Sequence, residues 1–333
     1  MRCLVTGGCG FIGSALVRAL LNKGWKVDTV DDLSGGDLSA LDQIKKRVIH
    51  IDVLPIFEEN HENERTKDQA LVITGDFAHK NILNRIRGDR YDYIFHLAAR
   101  PRVALSVEDP VTTSEINLFK TIAFFHACAG HTKRIVSSSS SSVFGNVHEF
   151  PTPETCEKKP LSPYALQKYC VEQFADLFCT LYELDIVNLR YFNVYGPGQY
   201  GDSPYATVIS AWCYAVKNGH SLRLDGTGNQ MRDFTYIDDV VNANILAAIG
   251  DDEVAGLTFN IGYGAPHSLN EILEFFKDKF AELHVCNAPP RVGDVFKTHA
   301  NTSLATRLLG YKPQVGLFEG LQKTVTWWGV EDR

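Results

Sequence analysis

A tyrosine and a lysine four residues apart, in Tyr164-Ala165-Leu166-Gln167-Lys168, carry the clearest chemistry in this 333-residue chain. They lie in an amphipathic run that opens after Pro163. On a helix, positions i and i+4 share a face. The ammonium of Lys168 is then placed to lower the phenol pKa of Tyr164 from about 10 toward neutrality. A phenolate so formed is a general base for a substrate hydroxyl. The same spacing also occurs on ordinary surface helices, so the pair gains meaning only from what surrounds it.

The elements that would position it begin at the N-terminus. Residues 3–5 are an apolar run that reads as a buried parallel strand. Gly7, Gly10 and Gly13 follow, with Phe11 and Ile12 between them, and residues 15–23 continue at helical spacing. Strand, glycine-rich turn and helix are the context of a dinucleotide fingerprint. Gly7 suits the tight turn, Gly10 a close approach to a pyrophosphate, and Gly13 helix-on-strand packing. The helix N-terminus offers N–H groups and a positive dipole end to phosphates. A second strand, 26–30, runs into Asp31 and Asp32, at the distance where an acid binds the adenosine ribose. A carboxylate there repels a 2′-phosphate, so NAD is expected over NADP. Asp31 is the better candidate, at the strand terminus, and Asp32 could instead cap the next segment.

Composition agrees with an ordinary globular enzyme, at 44% hydrophobic and 22% charged residues. A net charge of −7 argues against nucleic acid or an anionic membrane as partner. Anionic ligands must therefore be met by local cations and backbone N–H groups. No apolar run reaches transmembrane length, and a strand starting at residue 2 leaves no room for a signal peptide. The eight cysteines are scattered without a C-x-x-C pair. Reduced thiols, a cytoplasmic location and no metal site are expected.

A βα rhythm runs to about residue 190, with strands at 48–52, 71–74, 93–97, 134–138 and 186–191 and helices at 112–129 and 163–184. The polar run 58–68 reads as a solvated insertion within 53–70, and His61 in it as a surface histidine. Leu97, Ala98 and Ala99 close one strand and leave room for a dinucleotide to cross the sheet. Six serines, Ser137 to Ser142, precede Val143-Phe144-Gly145. One of those hydroxyls would share a substrate oxygen with Tyr164, and composition does not say which. Residues 1–195 are expected to form the NAD-binding domain, with a segment near 235–260 returning to it, and 196–333 mostly a smaller substrate domain.

Motifs in order span nearly the whole chain: Thr6-Gly7-Gly8-Cys9-Gly10-Phe11-Ile12-Gly13, Gly75-Asp76, His96-Leu97-Ala98-Ala99, Ser138 through Gly145, Tyr164 to Lys168, Arg190-Tyr191-Phe192-Asn193-Val194-Tyr195-Gly196-Pro197, Gly226 through Tyr236, and Arg291-Val292-Gly293-Asp294. With them the chain resembles the extended short-chain dehydrogenase/reductases, and within that family the nucleotide-sugar 4-epimerases. The resemblance implies an α/β fold, a Rossmann-type doubly wound parallel sheet with a smaller, mostly C-terminal substrate-binding domain. It implies Ser140 as the catalytic hydroxyl, five residues before Gly145, Tyr164 as base, and Lys168 as the cation that also holds the nicotinamide ribose. Ser138 and Tyr191 would line the cofactor. Asp76 and Phe77 would contact adenine, a role for which Asp52 competes less well. Asn193, Arg232 and Arg291 would meet a UDP-sugar diphosphate, and Asp294 a ribose hydroxyl. Asn193 could otherwise be a turn residue, Arg232 a partner of Asp233 or Asp239, and Arg291 and Asp294 a surface pair.

The implied reaction is inversion at C4 through a transient 4-keto sugar. Sugar 4,6-dehydratases of the family carry an Asp-Glu pair directly after the catalytic hydroxyl, where this chain has Ser141 and Ser142. Thr298, small where a bulky residue would close the C2 side, favours N-acetylhexosamines alongside plain hexoses. Arg100 and Arg102 could meet a uronate carboxylate, phosphate or solvent. A non-catalytic NAD(P)-binding regulator would typically lack Tyr164 or Lys168. The family also implies a homodimer through helices 112–129 and 163–184, whose apolar residues include Ile116, Phe119, Ile122, Ala123, Phe124, Val171, Phe174, Phe178 and Leu181.

Overall fold

A computed structural model describes residues 1–54, 66–88, 91–202, 206–280, 282–290 and 295–330. Arg291 and Asp294, His61 and most of the polar insertion lie outside the described residues. The chain divides into two compact units. The first comprises Met1–Ser140, Ser162–Leu189 and Val241–Phe259, and the second Ser141–Leu161, Arg190–Val240 and Asn260–Arg333. Residues 141–161, which sequence alone groups with the cofactor domain, thus cluster with the second unit.

An eight-stranded sheet has the order β12-β7-β6-β5-β1-β2-β4-β3. Its strands are β1 (Arg2–Thr6), β2 (Lys26–Asp31), β3 (Lys45–His50), β4 (Gln69–Thr74), β5 (Tyr93–His96), β6 (Arg134–Ser140), β7 (Ile186–Tyr191) and β12 (Thr258–Ile261). From β3 through β6 the pairing is parallel. β1 pairs on one side with β2 and on the other with β5, so the winding reverses beside it. In an open parallel sheet, ligands bind beyond the carboxyl ends of the strands at such a reversal. The first glycine of the fingerprint, Gly7, follows β1 directly.

Residue choice explains the elements around that point. Cys3, Leu4, Val5 and Thr6 are all buried, as befits a central strand covered on both faces. The helix Phe11–Asn22 follows its N-cap Gly10 and starts four residues earlier than helical spacing alone indicates. The helix Pro163–Tyr182 is opened by Ser162, whose side chain accepts the Ala165 N–H, and by Pro163 at its first position. It is closed by Glu183 in the left-handed region (φ 51°).

Two expectations are corrected. The helix expected over 112–129 is three pieces: Pro110–Ser114, a π-helical turn Glu115–Phe119, and Lys120–Cys128. A π turn is a local change from i→i+4 to i→i+5 backbone hydrogen bonds, which the pattern of side-chain types does not report. The strand expected at 48–52 runs from Lys45 to His50 and gives way to a 3-10 turn, Ile51–Val53. Of the apolar residues assigned to a dimer face, Phe124, Val171 and Phe178 belong to the core of the first unit. Phe119 and Leu181 remain exposed, joined by Leu166 and Leu177.

Among the described residues, the second unit carries three two-stranded sheets. β8 (Val194–Tyr195) pairs with β11 (Thr235–Tyr236), β10 (Met231–Asp233) with β13 (Pro266–Ser268), and β9 (Leu222–Asp225) with β14 (Val285–Ala288). Asp233 is its organising carboxylate. Fully buried, it accepts the N–H groups of Tyr263, Gly264 and Ala300.

Candidate active site

The glycine loop is shaped by contacts that exclude side chains at one position and leave another open. A Cβ at Gly13 would stand 2.0 Å from the Gly7 carbonyl oxygen, so the helix can lie this close only with glycine there. A Cβ at Gly10 would meet only that same carbonyl, at 3.3 Å, and otherwise project into open space. That space above the loop is where a pyrophosphate would lie. Phe11 and Ile12, half-buried, form the helix start.

Asp31 and Asp32 do different work. Buried Asp31 accepts the Cys9 N–H (2.9 Å) and the Leu33 N–H (2.8 Å), so it braces the loop. Burial raises its pKa, and the two amides oppose the rise. A carboxylate has about four acceptor sites, which leaves capacity for a ribose hydroxyl. Asp32 is half exposed, accepts the Ser34 N–H, and faces Arg100 at 3.5 Å.

Thr6 sets the next loop. Its Oγ1 accepts the N–H groups of Leu97 (3.2 Å) and Ala98 (3.1 Å) and lies 2.9 Å from His96 Nδ1. With two amides donating to that oxygen, its own proton goes to Nδ1. The ring then carries its proton on Nε2, facing Thr121 Oγ1 at 3.0 Å. Burial, reinforced by the charge of Lys168, lowers the His96 pKa to about 3 and keeps the ring neutral. Leu97, Ala98 and Ala99 are thereby held half-buried at the end of β5. Asn117, in the π-helical turn, accepts the Arg100 N–H (2.7 Å) and donates to Gln167 (2.8 Å), which ties this loop to the helix of Tyr164.

Asp76 accepts the Ala78 N–H and pairs with Lys120 at 2.6 Å. Phe77 packs edge-on against His96 and Phe124, so its ring belongs to the core. Asp52 is exposed and lies 3.3 Å from His50.

Tyr164, Lys168 and the serines of β6 meet face to face. Tyr164 hydrogen-bonds Ser140. Lys168 donates to the Ser138 carbonyl at 2.7 Å and faces its hydroxyl at 3.3 Å. The backbone N–H of Tyr164 donates to buried Ser106 at 3.0 Å, which pins the short helix Val103–Glu108 and places Arg102, at its head, near the phenol. Burial pushes the Tyr164 pKa up to about 12, against the Ser140 hydrogen bond and the Arg102 charge. This corrects the expectation from spacing. Lys168 is turned to Ser138, and the charge of Arg102 acts on the phenol. Burial lowers the Lys168 pKa to about 8, with Glu172 opposing.

In the second unit, Asn193 takes a left-handed backbone (φ 33°) and donates to Thr298 Oγ1 (2.8 Å) and the Asp233 carbonyl (3.1 Å). Thr298 Oγ1 also accepts the Asp233 N–H at 3.0 Å. Arg232 donates to the carbonyls of Met231 (2.8 Å) and Phe296 (3.2 Å). The carboxylates of Asp233 and Asp239 are engaged by backbone amides. Asn193, Arg232 and Thr298 therefore gather around one strand, β10. Tyr191 is buried at the end of β7. Sequence reasoning missed Thr6, Ser106, Asn117, Gln167 and Glu172. The one local sign was a polar residue inside an apolar run, as at Asn117.

A glycine-floored loop at a sheet reversal, an acid at the end of β2 and a Ser–Tyr–Lys face with the tyrosine and lysine buried define a dinucleotide-dependent enzyme of the Rossmann type. Residues 3–262 match the NAD dependent epimerase/dehydratase family, to which this chain belongs. Its cofactor is NAD. It is 33% identical to a UDP-glucose 4-epimerase of Mycolicibacterium smegmatis, over 98% of this chain and 97% of that protein. The structure of a UDP-glucose 4-epimerase from Thermotoga maritima with UDP-glucose superposes with a TM-score of 0.86 at 33% identity, covering 99% of both chains. A UDP-N-acetylglucosamine 4-epimerase from Methanobrevibacter ruminantium, in complex with UDP-N-acetylmuramic acid, gives 0.84 at 35% identity, covering 98% and 97%.

Proposed function

We propose that this chain is an NAD-dependent UDP-sugar 4-epimerase. The observation that carries the reading is the buried face on which Ser140 bonds Tyr164 and Lys168 stands one helical turn further on. Tyr164 takes the proton of the sugar 4-hydroxyl and gives it back after the 4-keto sugar has turned over. Ser140 holds the same oxygen, and Lys168 holds the nicotinamide ribose. When bound beside Ser138 and Lys168, NAD would supply the hydride chemistry. The loop Gly7–Gly13 takes its pyrophosphate, Asp31 a ribose, Asp76 the adenine, and Leu97, Ala98, Ala99, Ser138 and Tyr191 line it.

The first unit thus serves the cofactor and the second the nucleotide of the substrate. Asn193 and Arg232, with Arg291 and Asp294, hold the diphosphate and ribose of UDP. Binding energy from that non-reacting part orients the sugar. The small Thr298 favours acetamido sugars alongside plain hexoses. One observation favours a second substrate, a UDP-uronate: the charge of Arg102 acts at Tyr164, beside the reacting carbon.

Incubation with UDP-glucose, UDP-N-acetylglucosamine and UDP-glucuronate in deuterated water, read by anomeric-proton NMR, tests both substrate readings. C4 epimers without deuterium at C5 are expected, fastest for the acetamido sugar. Loss of water would indicate a dehydratase instead, and C5 exchange a dehydratase or a 3,5-type epimerase.

Two copies are proposed to pair through the helical segment 110–128 and the helix Pro163–Tyr182, supported by the exposed Phe119, Leu166, Leu177 and Leu181. Sedimentation at micromolar concentration is expected to give a dimer, and a monomer alone would refute the pairing. A cytoplasmic location is supported by eight free cysteines.

A further inference from the structure

Glu172 lies one turn beyond Lys168 on the same buried helix face, and the reaction described above leaves it unused. Tyr164, Lys168 and Glu172 are 8%, 5% and 2% exposed, an i, i+4, i+8 stripe aimed at β6. The strand answers residue by residue: Ser140 bonds Tyr164, Ser138 takes Lys168, and the Ser139 hydroxyl donates to Glu172 Oε1 at 2.5 Å. Burying a carboxylate is unfavourable unless it is paired and hydrogen-bonded. Simple packing would be better served at this position by an apolar residue.

Other groups around the ammonium do not replace the carboxylate. His96, at the end of β5, is a neutral ring. Ser138 offers only neutral oxygens. Arg102 faces the phenol and carries the same sign as Lys168. Among these groups, Glu172 is the one whose negative charge opposes the loss of the Lys168 proton, adding to the Ser138 hydrogen bonds.

We propose that Glu172 is a positioning residue for the epimerase reaction, keeping the Lys168 ammonium charged inside the desolvated site and, through Ser139, holding the end of β6 against the reacting face. The proposal rests on the assignment of Tyr164 and Lys168 made above. Its test reads the pH dependence of kcat in Glu172 variants, whereas that assignment stands or falls on whether Tyr164→Phe slows C4 inversion.

The alkaline limb of kcat reports loss of the Lys168 proton. Removing the negative charge favours neutral Lys168, so E172Q moves that limb to lower pH by about one unit, a tenfold change in the protonation equilibrium. The acid limb does not rise, and KM for the UDP-sugar stays within about twofold. E172D retains the charge but withdraws it by one methylene, so its limb falls between the other two. If E172Q does not fold, E172D carries the test alone. A limb at the wild-type pH in the folded variant, even with a lower rate, would assign Glu172 a packing role and overturn the proposal.

Discussion

Replacing Tyr164 by Phe lowers kcat for C4 inversion by about 10²–10⁴-fold, the usual contribution of a positioned proton-transfer group, while the fold survives. The ring volume is unchanged, and the backbone N–H that bonds Ser106 does not depend on the side chain. Only the hydrogen bond to Ser140 is lost, a net cost of about 0.5–1.5 kcal/mol. A phenol held at about 12 by burial has a phenolate fraction that rises about tenfold per pH unit below that value. The wild-type rate therefore climbs with pH until Lys168 loses its proton, and the Phe variant loses the climbing limb. Near wild-type turnover in a folded Phe variant would show that another group moves the proton.

The second large effect is on stability, away from the reacting groups. Asp28 in β2 accepts hydrogen bonds from Arg85 (2.7 Å), Tyr91 (2.9 Å) and Arg2 (3.0 Å), and Arg85 also donates to the Tyr91 hydroxyl at 2.6 Å. The side chains of Asp28 and Arg85 are fully buried. Asp28→Ala leaves the Arg85 guanidinium without its carboxylate in the core of the first unit. Breaking a buried pair from one side costs about 3–5 kcal/mol. Denaturant unfolding followed by far-UV circular dichroism should show that loss. A change below about 1 kcal/mol would mean that water or backbone carbonyls take over the charge.

The legible parts of this chain are the local ones. Gly7, Gly10 and Gly13 announce a strand, turn and helix because each glycine answers a constraint within thirteen residues. Tyr164 and Lys168 share a face because helical spacing alone decides it. The Asp28 cluster and the Thr6–His96–Thr121 chain were invisible because they depend on strand order: β1 lies beside β5, some ninety residues away. The same reason hid Arg102. Its meeting with Tyr164 follows from a hydrogen bond between Ser106 and the start of another helix. Spacing pointed to Lys168 as the cation acting on the phenol, yet the lysine side chain reaches Ser138 on the neighbouring strand. Thr298 reads as a small wall residue, and its hydroxyl also holds Asn193 in place, a contact across 105 residues that spacing does not show.

Internal redox at C4 is the central claim, and one incubation addresses it directly. The purified protein is mixed with UDP-N-acetylglucosamine, without and with added NAD, while product is followed by anomeric-proton NMR and reduced cofactor by its absorbance. The account predicts that the C4 epimer accumulates to equilibrium with no net rise in reduced cofactor. Stoichiometric reduction of added NAD, with an oxidised sugar as the end product, would contradict it.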